Sequence, residues 1–231
     1  MSRRDDIEEF YAIIDELRMK VGGHRLLRDC TGKSGWPQRG LYFFFEDGEL
    51  RERGKQPRVV RVGTHAVTAT SKTTLWNRLH THRGHAGGGG NHRGSIFRKR
   101  IGEALIASTS YPQCARKSWG VGSSAPKDIC VAELPIEQAV TKHIGNMPFL
   151  WLRIDDAPSP DSHRSHLERN SIGLLSNYSQ PPIDPASKHW LGLHVAQETI
   201  RKSGLWNTNY VDERYDPAFL PLLRSYVKET Q

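Results

Sequence analysis

A chain of 231 residues, 36% of them apolar and 25% charged, is long enough to bury one real core, and no run in it approaches the roughly 20 apolar residues of a membrane-spanning helix. Cys30, Cys114 and Cys130 are odd in number and share no Cys-x-x-Cys spacing, which argues against a disulfide framework or a zinc knuckle. The net charge of +8 is uneven: residues 1–120 carry 22 Lys/Arg against 12 Asp/Glu and residues 121–231 carry 11 against 13, so a polyanion would be drawn to the first half.

No apolar signal core follows Met1, so a soluble, cytoplasmic protein is expected. Ile7, Phe10, Tyr11, Ile14, Leu17 and Val21 recur at intervals of three and four, which predicts an N-terminal helix with one buried face. Gly22-Gly23 ends it, and Thr31 to Pro37 reads as a loop. Gly32-Lys33-Ser34 superficially resembles a phosphate loop, but Leu27 stands where the upstream glycine is required, so NTP hydrolysis is set aside.

Gly40 to Glu46 and Arg58 to Gly63 are aromatic or β-branched runs on either side of an Asp47-Gly48 hairpin signal, and two antiparallel strands are predicted. A helix capped by Ser71 or Thr73 runs through Leu75, Trp76, Leu79 and His82. His85 to Asn91, with four successive glycines, reads as a mobile loop. Ser95 to Ile106 returns to helical spacing, with Arg98, Lys99 and Arg100 outward. Ile129 to Leu134 and Phe149 to Ile154 read as strands with a short helix, Glu137 to Ile144, between them. His163 to Leu175 reads as a helix, residues 181–188 as a linker, and Leu191 to Ser203 and Asp216 to Val227 as two last helices. The class is α+β: an N-terminal helix and loop over residues 1–34, a mixed domain with a Gly-rich insertion over 35–180, and a C-terminal helical extension over 181–231.

Phosphodiester cleavage needs an oriented water, a proton acceptor and positive charge around the phosphate. Tyr42 can orient water or relay a proton. Arg78 can grip two phosphate oxygens, and His82, one helical turn beyond it, shares its face. Glu168 is a hard oxygen ligand suited to Mg²⁺. Arg93, Arg98, Lys99 and Arg100 are candidate phosphate contacts that would position a duplex without reading its sequence. His163 and His166 flank Glu168 as candidate additions to a metal shell, and His80, His82, His85 and His92 cluster without fixed ligand spacing. Ordinary alternatives stand beside these: Tyr42 as a core aromatic next to Phe43, Arg78 as a solvent-facing helix residue, Glu168 as a simple helix acid.

Taken together, these segments resemble the GIY-YIG nuclease family. Gly40-Leu41-Tyr42 matches the first half-motif, and Arg61-Val62-Gly63 the second with Arg where Tyr is usual. Leu75-Trp76-Asn77-Arg78-Leu79 is similar to the helix that carries the catalytic arginine. Glu168-Arg169-Asn170-Ser171-Ile172, closed by Asn177, is similar to the metal-binding segment. The resemblance covers about residues 38–180, and His82 places the comparison with the restriction-endonuclease-like branch. It implies a small three-stranded antiparallel sheet flanked by helices and a single-metal hydrolysis of DNA. By that analogy Tyr42 acts as or assists the general base, Arg78 stabilises the phosphate, Glu168 anchors Mg²⁺ or Mn²⁺, and Asn177 lies at the nucleic acid. Arg61 cannot accept a proton, so it replaces the missing tyrosine only by binding phosphate or positioning water. Double-stranded DNA is the expected substrate, with structured RNA left open and a homodimer expected if both strands are cut. The alternative is a catalytically weakened module of the same fold that binds DNA or RNA.

Overall fold

Four strands form one antiparallel sheet in the computed structural model, which describes residues 2–230. β1 (Arg25–Leu26) lies at one edge, followed by β4 (Pro148–Arg153), β2 (Gly40–Leu50) and β3 (Pro57–Gly63). The expected three strands are therefore joined by a fourth. β1 pairs only Arg25 with Phe149 and Leu26 with Pro148, too short a ladder to leave an alternating pattern in sequence.

The eight α-helices among the described residues are α1 (Arg3–Lys20), α2 (Leu75–Arg83), α3 (Ile96–Ser108), α4 (Gln113–Ser118), α5 (Lys127–Asn146), α6 (His163–Leu175), α7 (Glu198–Ser203) and α8 (Phe219–Glu229). None is long and apolar enough to cross a membrane. Side chains alternate across a strand, and β2 uses that alternation to build two cores. Leu41, Phe43 and Phe45 face one way, against Phe10, Ile14 and Leu17 of α1, Leu167 and Leu174 of α6, and Leu223 of α8. Tyr42 and Phe44 face the other way, against Leu75 and Leu79 of α2, Phe97 and Ile101 of α3, Val140 and Ile144 of α5, and Trp190 and Trp206.

Ile129–Leu134, expected as a strand, is instead the opening of α5. Glu133, Ile136, Glu137, Val140 and Ile144 are buried at intervals of three and four, whereas Val131 and Leu134 face solvent. The two acids can be buried because each takes an arginine, Arg93 and Arg98. Leu191 to Ser203 is split into a 3₁₀ turn over Leu191–His194 and α7. Arg201 donates to the Val195 and Ala196 carbonyls between the two pieces. The Gly-rich stretch is anchored rather than free: Thr141 Oγ1 donates to Gly89 O at 2.8 Å. A Cβ on Gly90 would lie 2.4 Å from the Arg98 guanidinium, so the glycines let the chain wrap that cation.

The outer edge of β3 is covered by residues 205–207. Trp206 N donates to Val60 O at 2.7 Å, and the Asn207 amide both accepts from Val62 N (3.1 Å) and donates to Val62 O (2.8 Å). An exposed edge strand is thereby closed. Trp190 and Trp206 both donate their indole N–H to Glu46 Oε2, at 2.9 and 3.0 Å.

Candidate active site

The site begins with the pairing of Tyr42 against Gly63 across β2 and β3. A Cβ at position 63 would lie 2.3 Å from the Tyr42 hydroxyl, so this glycine is dictated by the tyrosine ring lying over it. Two residues earlier a β-bulge intervenes: Phe44 pairs with Arg61 but Phe45 with Val59, leaving Val60 extra. Arg61, two residues before Gly63 and opposite Phe44, lies on the Tyr42 face by strand alternation, with its guanidinium carbon 4.5 Å from the Phe97 ring centroid.

α2 supplies the next pair. Its N-cap is Thr74, one residue past the expected candidates, accepting from Asn77 N. Leu75, Leu79 and His82 are the buried face, and Arg78 flanks it. Tyr42 Oη lies 2.9 Å from His82 Nε2, and His82 Nδ1 lies 2.8 Å from Ser95 Oγ. When Tyr42 donates, the tautomer left to His82 gives its Nδ1–H to Ser95. Arg98 Nη1 fixes the His82 carbonyl at 2.9 Å. Burial, then Arg78, Arg61 and Arg98, push the His82 pKa well below the ordinary histidine value, so the ring is neutral.

A cleft of about 370 Å³ opens at this end of the sheet, lined by Arg61, Arg78 and Glu168 together with Thr64, His65 and Asn207. Arg61 donates to Trp206 O at 3.0 Å, while its Nε and that of Arg78 are buried without a partner among the described residues. Burial lowers the Arg61 pKa, with Tyr42 and Glu168 opposing that shift. Glu168, half-buried on α6, accepts from Thr64 N at 3.0 Å. Burial raises its carboxyl above the usual range, and Arg61 is the largest opposing influence. Thus Arg61, Arg78 and Glu168 converge on one cleft, whereas Tyr42 and His82 form a fully buried pair behind it.

A hard divalent ion takes one or two carboxylates from protein and keeps water for its remaining positions. One desolvated carboxylate with a single N–H contact suits such an ion. No group of three or more His, Cys, Asp or Glu converges among the described residues, so a site of many protein ligands is not built here.

Other residues singled out in sequence sit elsewhere. Arg98 is fully buried, bound to Glu137 Oε2 at 2.5 Å, and cannot meet a phosphate without breaking that pair. Arg93 is paired with Glu133 at 2.6 Å, Arg100 with Glu103 at 2.8 Å, and Lys99 donates to Gly120 O at 3.0 Å. Asn177 accepts from Arg3 (3.0 Å) and Ile183 N (3.0 Å), tying chain segments together away from the cleft. His163 contacts the Tyr226 hydroxyl at 2.6 Å and His166 contacts Asn170, and neither lines the cleft. His92 is stacked on Trp119 and bonded to Glu137. Conversely, His65 and Asn207 line the cleft without having carried a signal of their own. His65 directly follows the Val62-Gly63-Thr64 strand end, and only the end of β3 in space shows where it points the chain.

The neutral state of His82 and His65 sets a sign for the pH dependence of stability. Burial, then Arg164, pushes the His65 pKa down to about 4. Folded values below the unfolded value of about 6.5 mean that the unfolded chain binds more protons as pH falls. The contribution is complete above that pH and is lost as pH drops towards 4. Urea unfolding at pH 7.5 and pH 5 is expected to show the loss, and His82→Gln to make it shallower. An equal loss in the variant would contradict a buried neutral His82.

A small antiparallel sheet with helices on both faces and a cleft that brings two arginines to one carboxylate define an α+β domain with a charged cleft. A family model for the GIY-YIG domain matches residues 1–231, and the chain belongs to this family of nucleases. No curated protein and no solved structure matches it.

Proposed function

We propose that the protein is an endonuclease that hydrolyses phosphodiester bonds of double-stranded DNA with one Mg²⁺ or Mn²⁺ held by Glu168. The observation that carries this reading is the convergence of Arg61, Arg78 and Glu168 on one cleft in front of the Tyr42–His82–Ser95 line. Arg78 and Arg61 balance the charge that builds on the phosphate. The ion, when bound, polarises the phosphate and lowers the pKa of water. Tyr42, on taking a proton from the attacking water, gives its own to His82 Nε2, which Ser95 keeps as the acceptor by receiving Nδ1–H. His82 one turn beyond Arg78 supports a restriction or mobile-element enzyme, working as a homodimer to cut two strands.

Supercoiled plasmid incubated with the protein and Mg²⁺ or Mn²⁺ is expected to be nicked and linearised, and EDTA to stop it. Cutting that persists in EDTA would contradict metal dependence. A second reading, a binding module with weakened catalysis, is favoured by one observation: the Tyr42 hydroxyl is shut off from solvent and Arg61 stands where a second tyrosine is usual. Salt-sensitive DNA binding without cutting by the unaltered protein would select it.

A further inference from the structure

The loop that leaves β3 is held far more tightly than a surface connection requires. Thr64 is fixed twice, its N–H by Glu168 Oε1 at 3.0 Å and its hydroxyl by Gly40 O at 2.9 Å. The His65 carbonyl accepts from Arg164, a fully buried arginine whose charge is matched by Asp156. Ala66 follows with φ 54°, a left-handed conformation that costs an L-residue free energy and persists only where its surroundings impose it. Tyr210, across the same cleft, has φ 65°. The product of this bracing is the placement of one side chain. His65 is 5% exposed and lines the cleft with Arg61, Arg78 and Glu168; neither ring nitrogen makes a well-formed hydrogen bond among the described residues, and the Gln38 carbonyl acts on the ring as an acceptor.

A buried ring nitrogen left without a partner is costly in a purely structural histidine, because it forgoes its hydrogen bond to water. An apolar residue of similar size would fill the same space at lower cost. Among the charged groups lining the cleft, the arginines only donate and Glu168 is the carboxylate assigned to the cation, while the Asn207 amide is taken up by Val62 and the Thr64 hydroxyl by Gly40 O. The Tyr42 hydroxyl keeps the proton-accepting role through His82, but covered by protein it does not fix the place of a water in the open cleft beforehand. A neutral imidazole offers both an acceptor and a donor at one place.

We propose that His65 is a catalytic residue of this cleft, its neutral ring turning the N–H towards the Gln38 carbonyl and accepting a hydrogen bond from the attacking water at the other nitrogen. The role is orientation, with no proton transferred to the ring. Burial and the neighbouring Arg164, Arg78 and Arg39 keep His65 uncharged, which suits an acceptor that stays unprotonated. The assignment rests on the nuclease reading and adds to it a residue that follows the second half-motif in this chain.

The test compares wild type, His65→Leu and His65→Gln for single-turnover plasmid nicking in Mn²⁺, plasmid affinity in Ca²⁺, and urea midpoint. His65→Leu is expected to slow nicking about 100-fold, the scale of losing one oriented polar group, while affinity holds and the midpoint stays or rises. His65→Gln, which keeps a donor and an acceptor, is expected to retain more activity than His65→Leu. A structural histidine would give the opposite pattern, a lower midpoint with nicking lost only in proportion to unfolding. Nicking by His65→Leu at the wild-type rate overturns the proposal and leaves the nuclease reading intact. Failure of the wild type to nick sinks that reading and the proposal with it. Should His65→Leu not fold, equal rates for His65→Gln and His65→Ala would overturn it instead.

Discussion

Arg78→Ala is expected to lower the single-turnover cleavage rate about 100- to 1,000-fold while changing DNA affinity little. The guanidinium sits on a short helix whose adjoining face is locked by Leu75, Leu79 and His82, so its place is set before substrate arrives. Its Nε is buried and unpartnered, which leaves this donor free for a ligand. A charge arranged to meet the phosphate acts most strongly where negative charge grows, and the loss therefore appears in rate before binding. Arg78→Lys is not expected to restore the rate, because an ammonium cannot bridge two oxygens as the planar fork does. Rapid quench on a plasmid substrate checks both variants; wild-type rates in Arg78→Ala would remove Arg78 from the mechanism.

The largest expected effect on stability comes from Arg98→Met. This arginine is fully exposed to nothing but protein: Nε and Nη2 bind Glu137 Oε2, Nη2 also binds Thr141 Oγ1, and Nη1 binds His82 O. Glu137 is equally buried and also accepts from the His92 backbone N–H at 2.6 Å. Removing one partner strands the other charge, at a cost of about 3–5 kcal/mol. The double variant Arg98→Met with Glu137→Leu is expected to recover much of that loss, since no bare charge remains. Because Arg98 also holds the His82 carbonyl, a folded remnant of the single variant is expected to cut poorly. Urea unfolding of both variants checks this, and a single variant as stable as the double would show that the pair is not coupled.

Much of the fold is legible in sequence because its signals are local. β2 and β3 are aromatic or β-branched runs, α2 and α6 carry apolar residues at helical spacing, and the glycine at 63 stands opposite the tyrosine it accommodates. Arg78 and Glu168 are legible as cleft residues through their order and element type, although ninety residues separate them in the chain. What is not legible depends on partners far along the chain. Arg98 reads as an outward helix cation until Glu137 is brought beside it, and Glu133, buried against Arg93, hides the helical period of Ile129–Leu134. His65 gains meaning only when Arg164 and Glu168 fix the loop before and after it. Trp206 and Asn207 reach β3 from the far end of the chain, and no spacing rule connects them to Val60 and Val62.

The sheet, the two arginines and the carboxylate form one device only if Glu168 anchors the ion that the chemistry uses. Single-turnover plasmid cleavage measured across a Mn²⁺ titration, for wild type and Glu168→Gln, tests this most directly, with plasmid affinity measured alongside. The wild-type rate is expected to rise with Mn²⁺ to a plateau, while Glu168→Gln binds plasmid and cuts at no Mn²⁺ concentration. Cleavage by Glu168→Gln with the wild-type rate and the wild-type metal dependence would contradict it.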